Sequence, residues 1–115
     1  MVRPFAYVTA AWGSDEYEAR KRALKYSRKV FEAGYSPICP LLFVNDIIDD
    51  SIPTEHRDKK DFGEDLLRRS RILVVCGGRT DAQVKSDIAL ARRMRMAATT
   101  LQGIEEIDLK CPKKP

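Results

Sequence analysis

Short apolar runs alternate with longer amphipathic stretches along the chain. "PFAYVTA", residues 4–10, is apolar, aromatic and β-branched, and predicts a first strand. The stretch "WGSDEYEARKRALKYSRKVFEAGY" predicts a helix. Ser14 or Asp15 suits its N-cap, with acidic residues in the first turn. Tyr17, Leu24, Ser27, Val30 and Phe31 recur at helical spacing and are expected to pack. Gly34 suits the position just past the helix end. "YSPICP" predicts a second strand, marked off by Pro37 and Pro40. Residues 41–60 predict a short helical turn and then a loop, of the kind that forms part of a binding mouth. A further helix is expected from about Asp58 to Arg69, with Phe62, Leu66 and Leu67 inward. "RILVVCG" is apolar at nearly every position, as a central strand covered on both faces should be. Thr80 or Asp81 can cap the next helix, whose expected face is Val84, Ile88, Ala91 and the stem of Arg95. "MAATTLQ" predicts a fourth strand, and "GIEEIDL" a last turn.

Strands alternating with helices imply an α/β fold with a parallel sheet of four or five strands. Right-handed crossovers then place helices on both faces, a three-layer sandwich. No repeat or long linker interrupts the pattern. The expectation is one domain over residues 1–115, with its core at about 4–102 and a C-terminal tail at 103–115. In such sheets ligands bind beyond the carboxyl ends of the strands, near a reversal of strand order. Thr9 to Ser14, Pro40 to Asp46 and Gly77 to Asp81 should meet there.

Composition narrows the classes. The 115 residues are 43% hydrophobic and 33% charged, as in a soluble globular protein. No apolar run is long enough to span a membrane, and "MVRPFAYV" lacks the apolar segment of a secretory signal. The reading is a cytoplasmic protein without a membrane partner. Cys39, Cys76 and Cys111 are widely spaced and odd in number, and His56 is the one histidine. A disulfide framework, a zinc site or another metal centre is not expected, and no cofactor is implied. The net charge of +4 favours anionic partners such as nucleotides. Acids and bases are interspersed, so a nucleic-acid surface is not expected. The basic end "KCPKKP" reads as a frayed tail.

Asp87 is the leading candidate for chemistry. Its helical neighbours Gln83, Val84, Leu90 and Ala91 offer no basic partner, so the usual ion pair of a solvated helix face is missing. On an ideal helix it lies roughly 60° from the centre of the stripe formed by Val84, Ile88 and Ala91, at the rim of the packed face. Gly77 and Gly78 permit close backbone approach, and Arg79 and Thr80 follow at the start of a helix, where an anion can be held. A plain strand-to-helix turn explains the same residues. Trp12 can stack on a base or cover the first helix. Tyr7 can line a pocket or simply pack. His56 reads as solvated in a polar loop, Cys76 as buried packing, and Asp46, Asp49 and Asp50 as a cation cluster or an acidic loop.

Together, "AYVTAAWGSDEYEARKRA", "AGYSPICPLLF", an acidic loop ending near "PTEHR", "DFGEDLLRRSRILVVCGGR" and "KSDIALARRM" are similar to the nucleoside 2-deoxyribosyltransferase-like superfamily over about residues 5–102. Within it, the chain resembles the small bacterial and phage-associated members of unknown function. The resemblance implies a flavodoxin/Rossmann-like fold, a tendency to homo-oligomers, and cleavage or transfer of the N-glycosidic bond of a nucleoside or nucleotide. It also implies roles: Asp87 at the position of the family's nucleophilic glutamate, Asp81 near a sugar-orienting aspartate, and Tyr7 at a first-strand tyrosine. Here the nucleophile is one methylene shorter, "DAQV" stands where Ser-x-Gly-Met is usual, Leu41 replaces a histidine, and Arg71 replaces an acid.

Three functional readings follow. The first is a nucleotide or nucleoside site, with Asp87, Asp81 and Tyr7 in catalysis and Trp12, Gly77, Gly78, Arg79 and Thr80 in binding. The second is a non-catalytic binder of a nucleotide-derived signal. The third is a protein-interaction module with a retired pocket, docking through an apolar patch around Leu41 to Ile48. An Asp87 that opens into a cavity disfavours the third. An Asp87 closed off by Arg71 or Arg79 disfavours the first.

Overall fold

The strand order in a computed structural model, which describes residues 3–104, is β2-β1-β3-β4, and every pairing is parallel. The strands are β1 (Phe5–Ala10), β2 (Ser36–Ile38), β3 (Ile72–Cys76) and β4 (Ala97–Thr100). Between them run α1 (Glu16–Glu32), a 3-10 turn (Pro40–Leu42), α2 (Val44–Ile47), α3 (Pro53–Arg68) and α4 (Ala82–Arg93). The expected α/β three-layer sandwich is therefore present, with four strands. The tail, Cys111 and most of the expected last turn lie outside the described residues, while 101–104 are helical. No helix among the described residues is long and apolar enough to cross a membrane.

The side-chain alternation of β1 divides the core. Ala6, Val8 and Ala10 face α1 and pack with Ala23, Val30, Val74 and Cys76. Tyr7 faces the other layer and packs with Leu67 of α3, Leu73, and Leu90 and Ala91 of α4. From β1 the chain winds to β2 on one side and to β3 on the other. The reversal of strand order thus falls between β1 and β3, where a crevice opens at the carboxyl ends.

Several local expectations are corrected. The packed face of α1 is Ala19, Ala23, Ser27 and Val30, whereas Tyr17 (70% exposed), Leu24 (62%) and Phe31 (43%) face outward. Small residues at this spacing let the helix backbone lie close on the sheet, and the large side chains fall on another face. Phe31 instead takes the guanidinium groups of Arg3 and Arg28 over its ring. Helix α3 begins at Pro53, not near Asp58, because proline fits the first helical position, where no N–H is required. His56 is accordingly a helical residue and not part of a polar loop. Strand β4 ends at Thr100, so Leu101 and Gln102 have left the sheet. Helix α4 ends at Arg93, and Arg95 takes a left-handed turn (φ 57°) on the surface instead of packing its stem. Of the large apolar side chains in the supposed patch at Leu41–Ile48, Ile47 is exposed, while Val44 is buried and Leu41, Leu42, Phe43 and Ile48 are half-buried.

Candidate functional site

A cavity of about 420 Å³ opens at the carboxyl end of β1, on the face covered by α3 and α4. Tyr7 and Thr9, successive residues on that face of β1, form its floor together with Asp87. Asp87 is 6% exposed and lies inside the packed stripe of α4, which is Val84, Asp87, Leu90 and Ala91. The expected rim position is corrected for one reason. Leu90 packs fully where Ile88 is only half-buried, and this swings the centre of the stripe onto Asp87.

The buried carboxylate is fully engaged. The Thr9 hydroxyl donates to Oδ2 at 2.7 Å, and the Gln83 side-chain amide donates to Oδ1 at 3.0 Å. Burial pushes the Asp87 carboxyl above its usual range, helped by the nearby carboxylates of Asp81 and Glu64. The two donated hydrogen bonds act in the opposite direction. Tyr7 is 4% exposed, and burial, with the Asp87 charge second, drives its phenol far above the ordinary value. It stays protonated and can only donate or accept as a neutral hydroxyl. Neither Arg71 nor Arg79 hydrogen-bonds or forms an ion pair with Asp87.

The walls are apolar on one side, with Pro40, Leu41 and Val44 from the segment after β2. Helix α3 lines the opposite side through one stripe: His56, Lys59, Lys60, Gly63 and Glu64. The stripe runs on into buried Leu67, so a single helical face changes from core to cavity along its length. A Cβ on Gly63 would stand 3.6 Å from the Tyr7 hydroxyl oxygen, an ordinary contact, so α3 passes close over the cavity floor there. At the mouth, Asp50 meets His56 Nδ1 at 2.7 Å and Lys59 Nζ at 3.9 Å. Asp50 is held below the usual carboxylate range, first by the His56 hydrogen bond. With Nδ1 engaged, Nε2 is the ring nitrogen left for other partners.

The expected site residues separate into groups. Tyr7, Trp12 and Asp87 line this cavity. Asp81 does not. Its Oδ1 accepts from the Val84 amide at 2.9 Å and caps α4, and its Oδ2 accepts from the Trp12 amide at 3.0 Å. It therefore fixes the β1–α1 loop against α4. Gly77, Gly78 and Arg79 line a separate depression on the α1 side of the sheet, and exposed Thr80 lines neither. Sequence reasoning placed Thr9 only within the segment expected at the strand ends and gave no site role to Gln83, Lys59, Lys60 or Glu64. The polar stripe Lys59, Lys60 and Glu64 on the expected helix was the available signal, and only His56 needs the start at Pro53 to join it. The acidic residues at 46–50 hold no shared ion position. Asp46 pairs with Arg20 at 3.1 Å, Asp49 accepts from Ser51, and Asp50 serves His56. Among the described residues no group of three metal-ligating side chains comes together.

These features define a doubly wound α/β domain with a buried carboxylate at the floor of its switch-point cavity. The chain belongs to the family described as Domain of unknown function (DUF7768), whose model matches residues 4–101. That span holds all four strands and every residue that lines the cavity. No curated protein matches the sequence.

Proposed function

We propose that the protein binds a nucleoside or nucleotide in the Asp87 cavity and acts on its N-glycosidic bond, by hydrolysis or by transfer of the sugar. One observation carries the reading: a buried carboxylate, oriented by Thr9 and Gln83, lies at the floor of an open cavity at the β1/β3 switch point. Such a carboxylate suits a carbon that becomes cationic as its bond to nitrogen breaks. In the covalent form of the reaction, an Asp87 oxygen bonds to the anomeric carbon while the carbon–nitrogen bond breaks. The base leaves with the electron pair and takes a proton from solvent. Water, giving its proton up to solvent, or a second base then attacks the same carbon and releases Asp87 as the carboxylate. Ionised Asp87 is the active form. The hydrogen bonds from Thr9 and Gln83 favour that form against the burial that opposes it.

The remaining residues fit this occupant. Trp12 at the mouth offers an aromatic face to a base. Tyr7 offers a neutral hydroxyl to the sugar. Lys59 and Lys60 offer ammonium groups on the α3 side to a phosphate on the sugar. Asp81 acts through Trp12, as a positioning residue.

Binding without turnover is the second reading, and the length of Asp87 favours it. Its side chain is held to Thr9 in the packed stripe of α4, and a displacement on the order of 1 Å from an attacking position can cost about a hundredfold in rate. The test is a thermal-shift screen of the intact chain and of Asp87→Ala with nucleosides and nucleoside monophosphates, with free base followed by chromatography. Stabilisation with base release that Asp87→Ala abolishes supports the enzyme. Stabilisation without release supports the binder. No stabilisation by any of these compounds overturns both.

A further inference from the structure

Behind the β1–α1 connection, on the opposite side of the sheet from Asp87, lies the second depression, of about 280 Å³. Its base is Ala10 and Cys76, the last residues of β1 and β3, with the Gly77–Gly78 turn. Arg22 and Tyr26 of α1 and Arg79 of the turn form its sides.

Its charge is one-sided. Among the described residues, two arginines line it and no carboxylate does. Arg79 is exposed and forms no hydrogen bond or ion pair among the described residues. The Arg22 guanidinium donates to the Trp12 carbonyl at 3.1 Å, which orients it without neutralising it. The backbone is also laid open. Gly13 and Gly77 hold left-handed conformations (φ 79° and 80°) that glycine adopts without strain. A Cβ on Gly77 would stand 3.0 Å from the Tyr26 hydroxyl, and one on Gly78 would meet nothing within 4 Å. Among the described residues, the amides of Gly78 and Arg79 are taken up by no backbone hydrogen bond. Guanidinium, phenol and amide donors thus surround the space from two different elements. A planar carboxylate would use one arginine edge, whereas a tetrahedral oxyanion can use all of them.

We infer that this depression is a phosphate-binding site, built from Arg22, Tyr26, Arg79 and the Gly77–Gly78 backbone and separate from the Asp87 cavity. It stands independently of the glycosidic chemistry. The phosphate comes either from the compound that fills the Asp87 cavity, reaching past Trp12, or from a second molecule. Both sources share the chemistry that the arginines recognise.

The test is a titration of the isotope-labelled full chain with inorganic phosphate and with pyrophosphate at constant ionic strength, followed by amide NMR. The expected result is saturable shifts at Gly13, Gly77, Gly78 and Arg79. Arg79→Gln and Arg22→Gln should each weaken the apparent Kd by about tenfold or more, as loss of a charge-assisted hydrogen bond does. Arg92→Gln, which removes an exposed positive charge from the end of α4, should leave it unchanged. Shifts confined to Lys59 and Lys60, non-saturable shifts, or equal weakening in all three variants would overturn the site. Adenosine 5′-monophosphate compared with adenosine then separates the sources. If the monophosphate alone moves the Gly77–Gly78 amides together with Trp12, one compound spans both spaces. If it moves only Trp12 while inorganic phosphate still moves the glycines, the phosphate belongs to a second molecule. Base release is measured separately, so failure of either idea leaves the other standing.

Discussion

Thr9 and Asp87, 78 residues apart in the chain, meet at 2.7 Å between hydroxyl and carboxylate, and both are buried. The contact ties the central strand to α4 and fixes one oxygen of the candidate functional group. Removing the hydroxyl in Thr9→Val leaves a buried carboxylate oxygen short of a donor. The expected loss of stability is about 1–3 kcal/mol, read from denaturant unfolding. In an Asp87→Asn background the same change should cost less, because a neutral amide demands less of its donor. Equal costs in the two backgrounds would show that the hydroxyl acts through packing alone.

The raised Asp87 pKa has a definite sign in stability. At low pH the carboxyl is protonated in both folded and unfolded chains. As pH rises past the ordinary value of 3.8, the unfolded chain gives up its proton first, while the folded chain keeps it until the raised value is passed. The folded state binds more protons in that window, so stability falls as pH rises through it. Asp87→Asn escapes this penalty, since Gln83 can turn its amide to accept from the new NH₂ group. Its melting temperature should exceed that of the intact chain at neutral pH, and the gap should close in acid. A gap that widens toward acid would contradict the assignment.

Gly63 stands within α3 beside the Tyr7 hydroxyl, with ordinary contact distance to spare for a methyl group. Gly63→Ala should stabilise the fold by about 0.5–1 kcal/mol through helix propensity. The same methyl group enters the cavity floor and should weaken nucleotide binding. Thermal shifts measured with and without ligand separate the two effects.

Asp81 has two separable duties, and a single substitution divides them. Asp81→Asn keeps an oxygen to cap α4, but its NH₂ group cannot accept the Trp12 amide proton. The helix should keep its content by circular dichroism. Trp12 is the only tryptophan, so its fluorescence should report a loosened loop. Asp81→Ala should lose the cap as well, at a cost of about 1 kcal/mol more.

The inner face of α1 predicts contrasting outcomes for neighbouring residues. Ala23 is 1% exposed and Leu24 is 62% exposed. Ala23→Leu should overpack the layer against the sheet and cost about 1–3 kcal/mol. Leu24→Ala should change stability by no more than about 0.5 kcal/mol. Both follow from melting curves.

The strands were legible because β1 and β3 are dense in β-branched and apolar residues, and the alternation with helices implied a parallel sheet. Asp15 and Asp81, each an offered cap residue, do cap α1 and α4. The face of α1 was misread because hydrophobic size was weighed over closeness of approach. The sheet selects alanine and serine there, and leaves Tyr17, Leu24 and Phe31 in water. Asp87 drew attention through its lack of a basic helical partner, which is local information, as is the Gln83 amide one turn before it that donates to it. Its second partner, Thr9, lies on β1 and is brought to it by the tertiary fold. The same holds for the α3 side of the cavity. His56, Lys59 and Lys60 read as an ordinary charged stretch until the turn after β2 carries Pro40 and Leu41 opposite them.

All-parallel pairing also sets a folding order. No hairpin can align any two of these strands locally. Central β1 lies opposite Ser36 through Phe5 and opposite Ile72 through Ala6, so each partner requires closure of a long loop. Because β1 precedes both of its partners in the sequence, it has no second neighbour until β3 has been synthesised. The floor of the cavity comes later still, because Asp87 lies beyond β3. A chain that has reached β2 but not β3 therefore carries an apolar strand with one edge unpaired. That edge closes when β3 pairs with β1, and the carboxylate of Asp87 reaches Thr9 only afterwards.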